Sequence, residues 1–335
     1  MGYRVLFFCF LLLAGFFSCD QIQIEKSSLP PGTGKYGEVL VVVDTTYENR
    51  KTGDLLKQIF FKSSVGLPQQ EAQFRMATVS PKNFKSILKR SRNILKLSIG
   101  KGKKTAINIE ENVWAKNQLM LQITAASDED ASRILEKNTQ TIRNYFNEKE
   151  IQRLQKQYAK KPLKKLASEL RSEYGIDMII PPGFVKMQSN EKGFWLKKEK
   201  SIGEHQVIQG ISFYSYPYES DSTFSIVELI NNRNTFTKEF IEGGRDSSYM
   251  AVYEEYKPVS KEVNFNNKYS KEYRGLWNMK NDFMGGPFLH YIFVDEERNR
   301  VINLDGFVYA PKFNKREYLR ELEALLKTTN LVKVN

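Results

Sequence analysis

Cysteine and histidine are almost absent from this 335-residue chain, with two of each. Both cysteines, Cys9 and Cys19, precede the first acidic residue, Asp20, so the rest of the chain has neither a disulfide to form nor a thiol nucleophile to offer. With His205 and His290 as the only histidines, a Cys/His zinc site is excluded, and no metal or cofactor is expected. There is no Gly-x-Ser-x-Gly elbow and no His-Glu-x-x-His helix, and a Ser-His-acid triad would have to use His205 or His290. Gly32-Thr33-Gly34-Lys35 fails as a phosphate loop. That motif needs glycine where Leu29 stands and Ser or Thr where Tyr36 stands.

A run of roughly 20 apolar residues, as a membrane-crossing helix requires, is also missing. The apolar run over residues 5–17 is shorter, and Arg4 is the only charge before Asp20. A positive start followed by a short apolar centre is a secretory signal layout. Phe16-Phe17-Ser18-Cys19 resembles the lipobox of bacterial lipoproteins, with the small Ser18 before the lipidated cysteine, although Phe17 departs from the strict pattern. The expected organisation is a signal peptide at 1–18, then a flexible tether at 19–35 that begins at the palmitate-type lipidation site Cys19 and is broken by Pro30-Pro31-Gly32. Two or more acyl chains give stable anchoring where one does not, so the chain is expected to stay on a bacterial membrane, facing the periplasm or the cell surface.

Charge is plentiful and uneven: 51 Lys and Arg face 39 Asp and Glu, a net of +12. This excess favours anionic partners. Outside the cytoplasm those are an anionic envelope polymer or a protein partner, and nucleic acid is not an expected one.

Hydrophobic periodicity then indicates an α+β fold with largely antiparallel sheets and packed helices, in two sub-domains at 36–161 and 162–335. In the first, residues 38–43 form a β-branched strand and 53–61 a helix. Ser80 and Pro81 open a basic amphipathic helix with Phe84, Ile87 and Leu88 inward. Residues 94–99 and 105–109 predict a hairpin with its tip at Gly100-Lys101-Gly102-Lys103-Lys104. Ser127 caps a long helix whose apolar stripe shifts after Asn147, which predicts a bend. In the second sub-domain, strands are expected at 206–216, 262–276, 288–295 and 301–309. A last helix has Asn314 and Glu317 as a capping box and Tyr318, Leu322, Leu325 and Leu326 buried. Tyr214, Tyr216 and Tyr218 share one strand face, as a half-exposed aromatic platform or a second buried layer.

Several short stretches carry a resemblance: Leu67-Pro68-Gln69 with Glu71 and Phe74, Arg92-Asn93-Ile94, Trp114-Ala115 with Gln118, and Phe194-Trp195-Leu196. Further on come Arg274-Gly275-Leu276-Trp277, Met284-Gly285-Gly286-Pro287-Phe288, and Asp305-Gly306-Phe307-Val308-Tyr309-Ala310-Pro311 with Lys315-Arg316. Over nearly the whole chain after the signal, the sequence is similar to an uncharacterised lipoprotein family of Bacteroidota, domain of unknown function 4837. The resemblance implies a lipoprotein and supplies no catalytic residue.

The densest candidate ligand site lies at 274–290, where Arg274, Trp277 and His290 would converge across a Gly285-Gly286-Pro287 turn. Arg binds carboxylate or phosphate in bidentate fashion, and Trp stacks on a sugar or base. The functional expectation is a non-enzymatic, membrane-anchored envelope lipoprotein that binds an envelope component or partner. The alternative is an envelope enzyme acting on glycan near Arg274 to His290.

Overall fold

The computed structural model describes residues 29–333, so the expected signal peptide and the lipidation site Cys19 lie outside the described residues. Two α+β sub-domains follow one another along the chain. The first holds β1 (Glu38–Val42), α1 (Thr45–Glu48), α2 (Lys51–Phe60), β2 (Arg75–Val79), β3 (Asn93–Ile99), β4 (Ala106–Glu111), β5 (Leu119–Ala125) and α3 (Asp128–Tyr158). Its sheet has the order β2-β1-β3-β5-β4, and only the β4–β5 pairing is antiparallel. The largely antiparallel arrangement therefore belongs to the second sub-domain alone. Near-continuous apolar strands are what a parallel sheet covered on both faces requires. Val39, Val41, Leu95, Leu97, Leu121 and Ile123 pack against α2 and α3, while Val42, Ile94 and Met120 meet Phe84 on the other side.

Three local expectations give way here. β3 and β4 do not form a hairpin, because β5 lies between them and the Gly100 stretch is a crossover. The basic helix after Ser80 is two short 3-10 turns, Pro81–Asn83 and Ser86–Arg90, which bury Phe84 but leave Ile87 55% exposed. α3 is one continuous helix. Its stripe shifts because its partner changes: Leu135, Ile142 and Phe146 face the sheet, whereas Ile151 and Leu154 face Ala324 near the chain end. The expected tether also stops short of residue 35, since Thr33 N–H donates to the Arg90 carbonyl at 2.8 Å and Lys116 N–H to the Pro30 carbonyl at 2.8 Å.

The second sub-domain comprises α4 (Lys164–Tyr174), β6 (Ile176–Asp177), β7 (Phe184–Asn190), β8 (Gly193–Ile202), β9 (His205–Pro217), α5 (Ile226–Phe240), β10 (Tyr249–Val252), β11 (Val259–Phe265), β12 (Lys268–Lys280), β13 (Gly285–Asp295), β14 (Arg300–Tyr309), α6 (Arg316–Leu326) and β15 (Asn330–Leu331). Eight strands form one antiparallel sheet, β10-β12-β13-β14-β9-β8-β7, with β11 beside β12. One face carries Ile211, Phe213, Tyr291 and Leu304 against α4 and α6; the other carries Tyr214, Trp277, Phe288 and Phe307 against α5. Tyr214 thus belongs to a second buried layer, stacked on Phe236 at 4.5 Å between ring centroids. The single strand expected over 262–276 is a hairpin. Its turn is Asn266-Asn267, both at positive φ (49° and 68°), as a two-residue hairpin loop demands. Gly285-Gly286-Pro287 lies inside β13 instead of forming a turn, and a Cβ on Gly286 would collide with the backbone carbonyl of Val308.

α6 joins the sub-domains, with the antiparallel sheet on one side and α3 on the other. The expected capping box is absent. Asn314 precedes the N-cap position, Lys315, and Glu317 turns to Arg316 and Arg320 at 2.7 and 2.6 Å. Glu71 of the first sub-domain takes the free N–H groups instead: its Oε1 accepts from Lys315 at 2.7 Å and its Oε2 from Arg316 at 3.0 Å. A carboxylate at a helix N-terminus satisfies orphan donors and complements the helix dipole.

Candidate functional site

In the β12–β13 register Tyr273 faces His290, Arg274 faces Leu289, and Trp277 faces Gly286. Side chains alternate along a strand, so Arg274 points to the α6 side, whereas Trp277 and His290 point to the α5 side. The three candidates do not converge. Trp277 is 2% exposed, packed among Phe288 and Phe307. His290 is wholly buried, its Nδ1 3.2 Å from Asp305 Oδ2 and its Nε2 3.1 Å from Asn303 Oδ1. Asp305 accepts two further bonds from Arg233, at 2.9 and 3.1 Å. Burial raises the Asp305 carboxyl, but the Arg233 guanidinium and His290 outweigh it and hold the group below the usual carboxylate range. This is a polar core under α5, closed to solvent.

Arg274 instead lines a cleft of about 540 Å³ between the two sub-domains. Its Nε donates to Glu272 Oε1 at 2.7 Å and its Nη2 to Glu323 Oε2 at 2.8 Å. Tyr291 Oη donates to Glu272 Oε2 at 2.9 Å, and Lys327 Nζ lies 3.1 Å from Glu323 Oε1 and 3.0 Å from Glu148. Burial would raise the Glu323 carboxyl, yet Arg274 and then Lys327 bring it down to about 2. Every carboxylate oxygen of Glu272 and Glu323 is therefore engaged. A glycosidase acid needs the opposite, a carboxyl that stays protonated near neutrality.

The cleft walls are basic: seven Lys and Arg side chains line it against four Glu. From α3 come Gln140, Arg143, Asn144 and Asn147, whose spacing of three and four puts them on one helix face. Lys62 comes from just beyond α2 and Lys261 from β11. Arg143 is only 4% exposed; its Nη1 reaches the Ile59 carbonyl at 3.4 Å and its Nη2 the Gln140 Oε1 at 3.2 Å, while Nε has no partner. Burial pulls the guanidinium pKa down, with no carboxylate to oppose it. Sequence reasoning missed these residues, because a polar stripe on a helix reads as a solvated face until something is seen opposite it. Among the described residues no group of three or more His, Cys, Asp or Glu could hold a metal ion. No helix among them is long and apolar enough to cross a membrane.

Residues 163–328, which hold the antiparallel sheet, Arg274 and the α6 wall of the cleft, match a domain of unknown function, DUF4837. A second family, domain of unknown function DUF8532, matches residues 32–159, and the two matches meet at the α3–α4 junction. The resemblance expected over nearly the whole chain is thus divided between two families, and the stretches from Leu67 to Gln118 fall in the DUF8532 part. Several of them serve the fold. Asn93 donates to Glu150 at 2.6 Å and accepts from Arg153 at 2.8 Å, and Gln118 donates to the Lys89 and Ser91 carbonyls at 2.7 Å each.

No curated protein matches the chain. Among solved structures, a mutant of protein Mog1 is similar at 9% identity and a TM-score of 0.31, covering 48% of this chain and 92% of that one. The lipid transfer and protein localization domain of human StarD13 is similar at 10% identity and a TM-score of 0.21, covering 49% and 94%. Neither likeness assigns a fold to the DUF4837 or the DUF8532 part.

Proposed function

We propose that this protein is a cell-envelope lipoprotein, anchored to a membrane through Cys19, that binds an envelope component in the cleft between its two sub-domains and performs no chemistry on it. The anchor rests on the apolar run at 5–17 and on Ser18-Cys19. The binding role rests on one observation: a cleft of about 540 Å³ walled by both sub-domains, in which cations outnumber carboxylates and Glu272 and Glu323 are saturated by Arg274, Tyr291 and Lys327. Such a cleft offers charge and hydrogen bonds to a ligand, but neither Glu272 nor Glu323 is free as a carboxyl acid or base. The alternative of an envelope enzyme acting on glycan needs one.

A photo-crosslinking amino acid at Val259, on the cleft rim, tests the binding role in native membranes. An adduct from Val259 that is absent when the same group is placed at Val227, an exposed residue on α5, is the expected result. Equal adducts from both positions would remove the cleft from the proposal. For the anchor, Cys19→Ser is expected to release the protein from the membrane fraction and block processing; retention with unchanged processing contradicts it.

A further inference from the structure

We infer that the cleft takes an acidic saccharide, its oxyanion seated on Arg143 between Lys62 and Lys261. This rests on the binding role proposed above and adds the class of ligand. Of the seven cleft cations, Arg274 and Lys327 are paired with Glu272, Glu323 and Glu148, and Arg316 and Arg320 share Glu317. Among the described residues, Lys62, Arg143 and Lys261 have no carboxylate partner. For the two exposed lysines this is unremarked surface chemistry. For Arg143 it is not: an arginine 96% withdrawn from water normally has an anion beside it, and here one guanidinium nitrogen is left with no acceptor at all. An oxyanion in the cleft that Arg143 lines supplies the missing counter-charge, and the planar guanidinium matches carboxylate and phosphate geometry alike.

Two more features of the same wall specify the rest of the ligand. Among the described residues Asn147 makes no side-chain hydrogen bond, and Asn144 uses only its carbonyl oxygen, which accepts from Gln140 at 2.7 Å. These amides stand one helical turn from Arg143 or beside it, ready for hydroxyls. Val65 and Val259, also in the cleft lining, are 36% and 49% exposed, and an apolar surface of that kind suits the C–H face of a sugar ring. Oxyanion, hydroxyls and an apolar ring face together describe an acidic saccharide better than an acidic peptide.

The test is calorimetric titration of the full-length protein with four probes: a glucuronate-containing oligosaccharide, a sugar-phosphate oligomer, a neutral oligosaccharide of equal length, and an oligoglutamate peptide. Binding of either acidic saccharide at least tenfold tighter than of the neutral one, weakened at least tenfold by Arg143→Gln and severalfold by Lys62→Gln or Lys261→Gln, is expected. The tighter of the two identifies the oxyanion as carboxylate or phosphate. The lysine variants sit on the surface and keep the test valid if Arg143→Gln fails to fold. Equal binding of the neutral sugar, equal or tighter binding of oligoglutamate, no binding of any probe, or acidic binding untouched by the three variants overturns the inference. A Val259 adduct in native membranes would still stand in each of those cases, so the binding role and the ligand class fail separately.

Discussion

Glu71 accepts the backbone N–H of Lys315 at 2.7 Å across 244 residues of chain, so that a carboxylate in one sub-domain closes the first turn of a helix in the other. Its second oxygen takes the N–H of Arg316 at 3.0 Å, and Arg316 in turn reaches the Ala72 carbonyl. Gln69 adds a contact to Lys315 Nζ at 3.2 Å and Arg320 one to the Gln73 carbonyl at 2.9 Å. The stretch from Leu67 to Phe74 is therefore a clasp on α6, the helix that forms one wall of the cleft.

Replacing Glu71 with Ala removes both caps and their charge–dipole term, an expected loss of about 2 kcal/mol. Glu71→Gln keeps one acceptor oxygen and is expected to lose about 1 kcal/mol. Urea denaturation measures both. A loss confined to a few tenths of a kcal/mol would show that solvent caps α6 equally well.

Under α5, Asp305→Asn leaves the Arg233 charge buried without its counter-ion, and breaking a buried pair from one side costs about 3–5 kcal/mol. Replacing both residues with apolar ones of similar volume is expected to be less harmful than Asp305→Asn alone. A double-mutant cycle by chemical denaturation reads the coupling directly. Additive losses would mean that the two side chains act independently.

Acid sensitivity should centre on Glu323. The folded state holds its carboxyl at about 2 against an ordinary 4.5, so the ion pair with Arg274 and Lys327 contributes fully above pH 4.5 and is lost as pH falls toward 2. Glu323→Gln is expected to cost about 3 kcal/mol near neutrality and to flatten the fall in stability over that acidic window. Melting temperatures of the two proteins at neutral and acidic pH decide it. Parallel pH curves would assign the acid limb to other carboxylates, Asp305 among them.

Gly286→Ala should be among the most damaging small substitutions in β13, because the added carbon meets the Val308 backbone and not a side chain that can swing away. A loss of about 3 kcal/mol or more is expected, within the range for strained or overpacked sites. Gly244→Ala is the control: its Cβ would meet nothing nearer than Asp282 Oδ2 at 4.0 Å, and its stability should change by only a few tenths. Similar melting temperatures for the two variants would contradict the close approach of β14.

Much of this fold was legible because its signals are local. The stripe Leu322, Leu325 and Leu326, the Ser127 cap of α3 and the strand over 301–309 depend on neighbours a few residues away, and each is found where it was expected. Pairing is not local. β3 and β4 follow one another with glycines between them, yet β5 enters between the two, and no residue near Gly100 records that insertion. The stripe shift in α3 was visible, but a bend and a change of partner leave the same trace in sequence.

The sequence alone places both cysteines, Cys9 and Cys19, before Asp20 and so leaves residues 20–335 without disulfide or thiol chemistry. Periodicity alone established an α+β protein with two sub-domains. Only tertiary structure separated Arg274 from Trp277 and His290, because strand residues three apart point to opposite faces and the sheet is covered on both. It alone brought Arg143 of one sub-domain into a cleft shared with Lys261 of the other, since the burial of a charge, and the want of a partner for it, is a property of what surrounds a residue and not of the residues beside it in the chain.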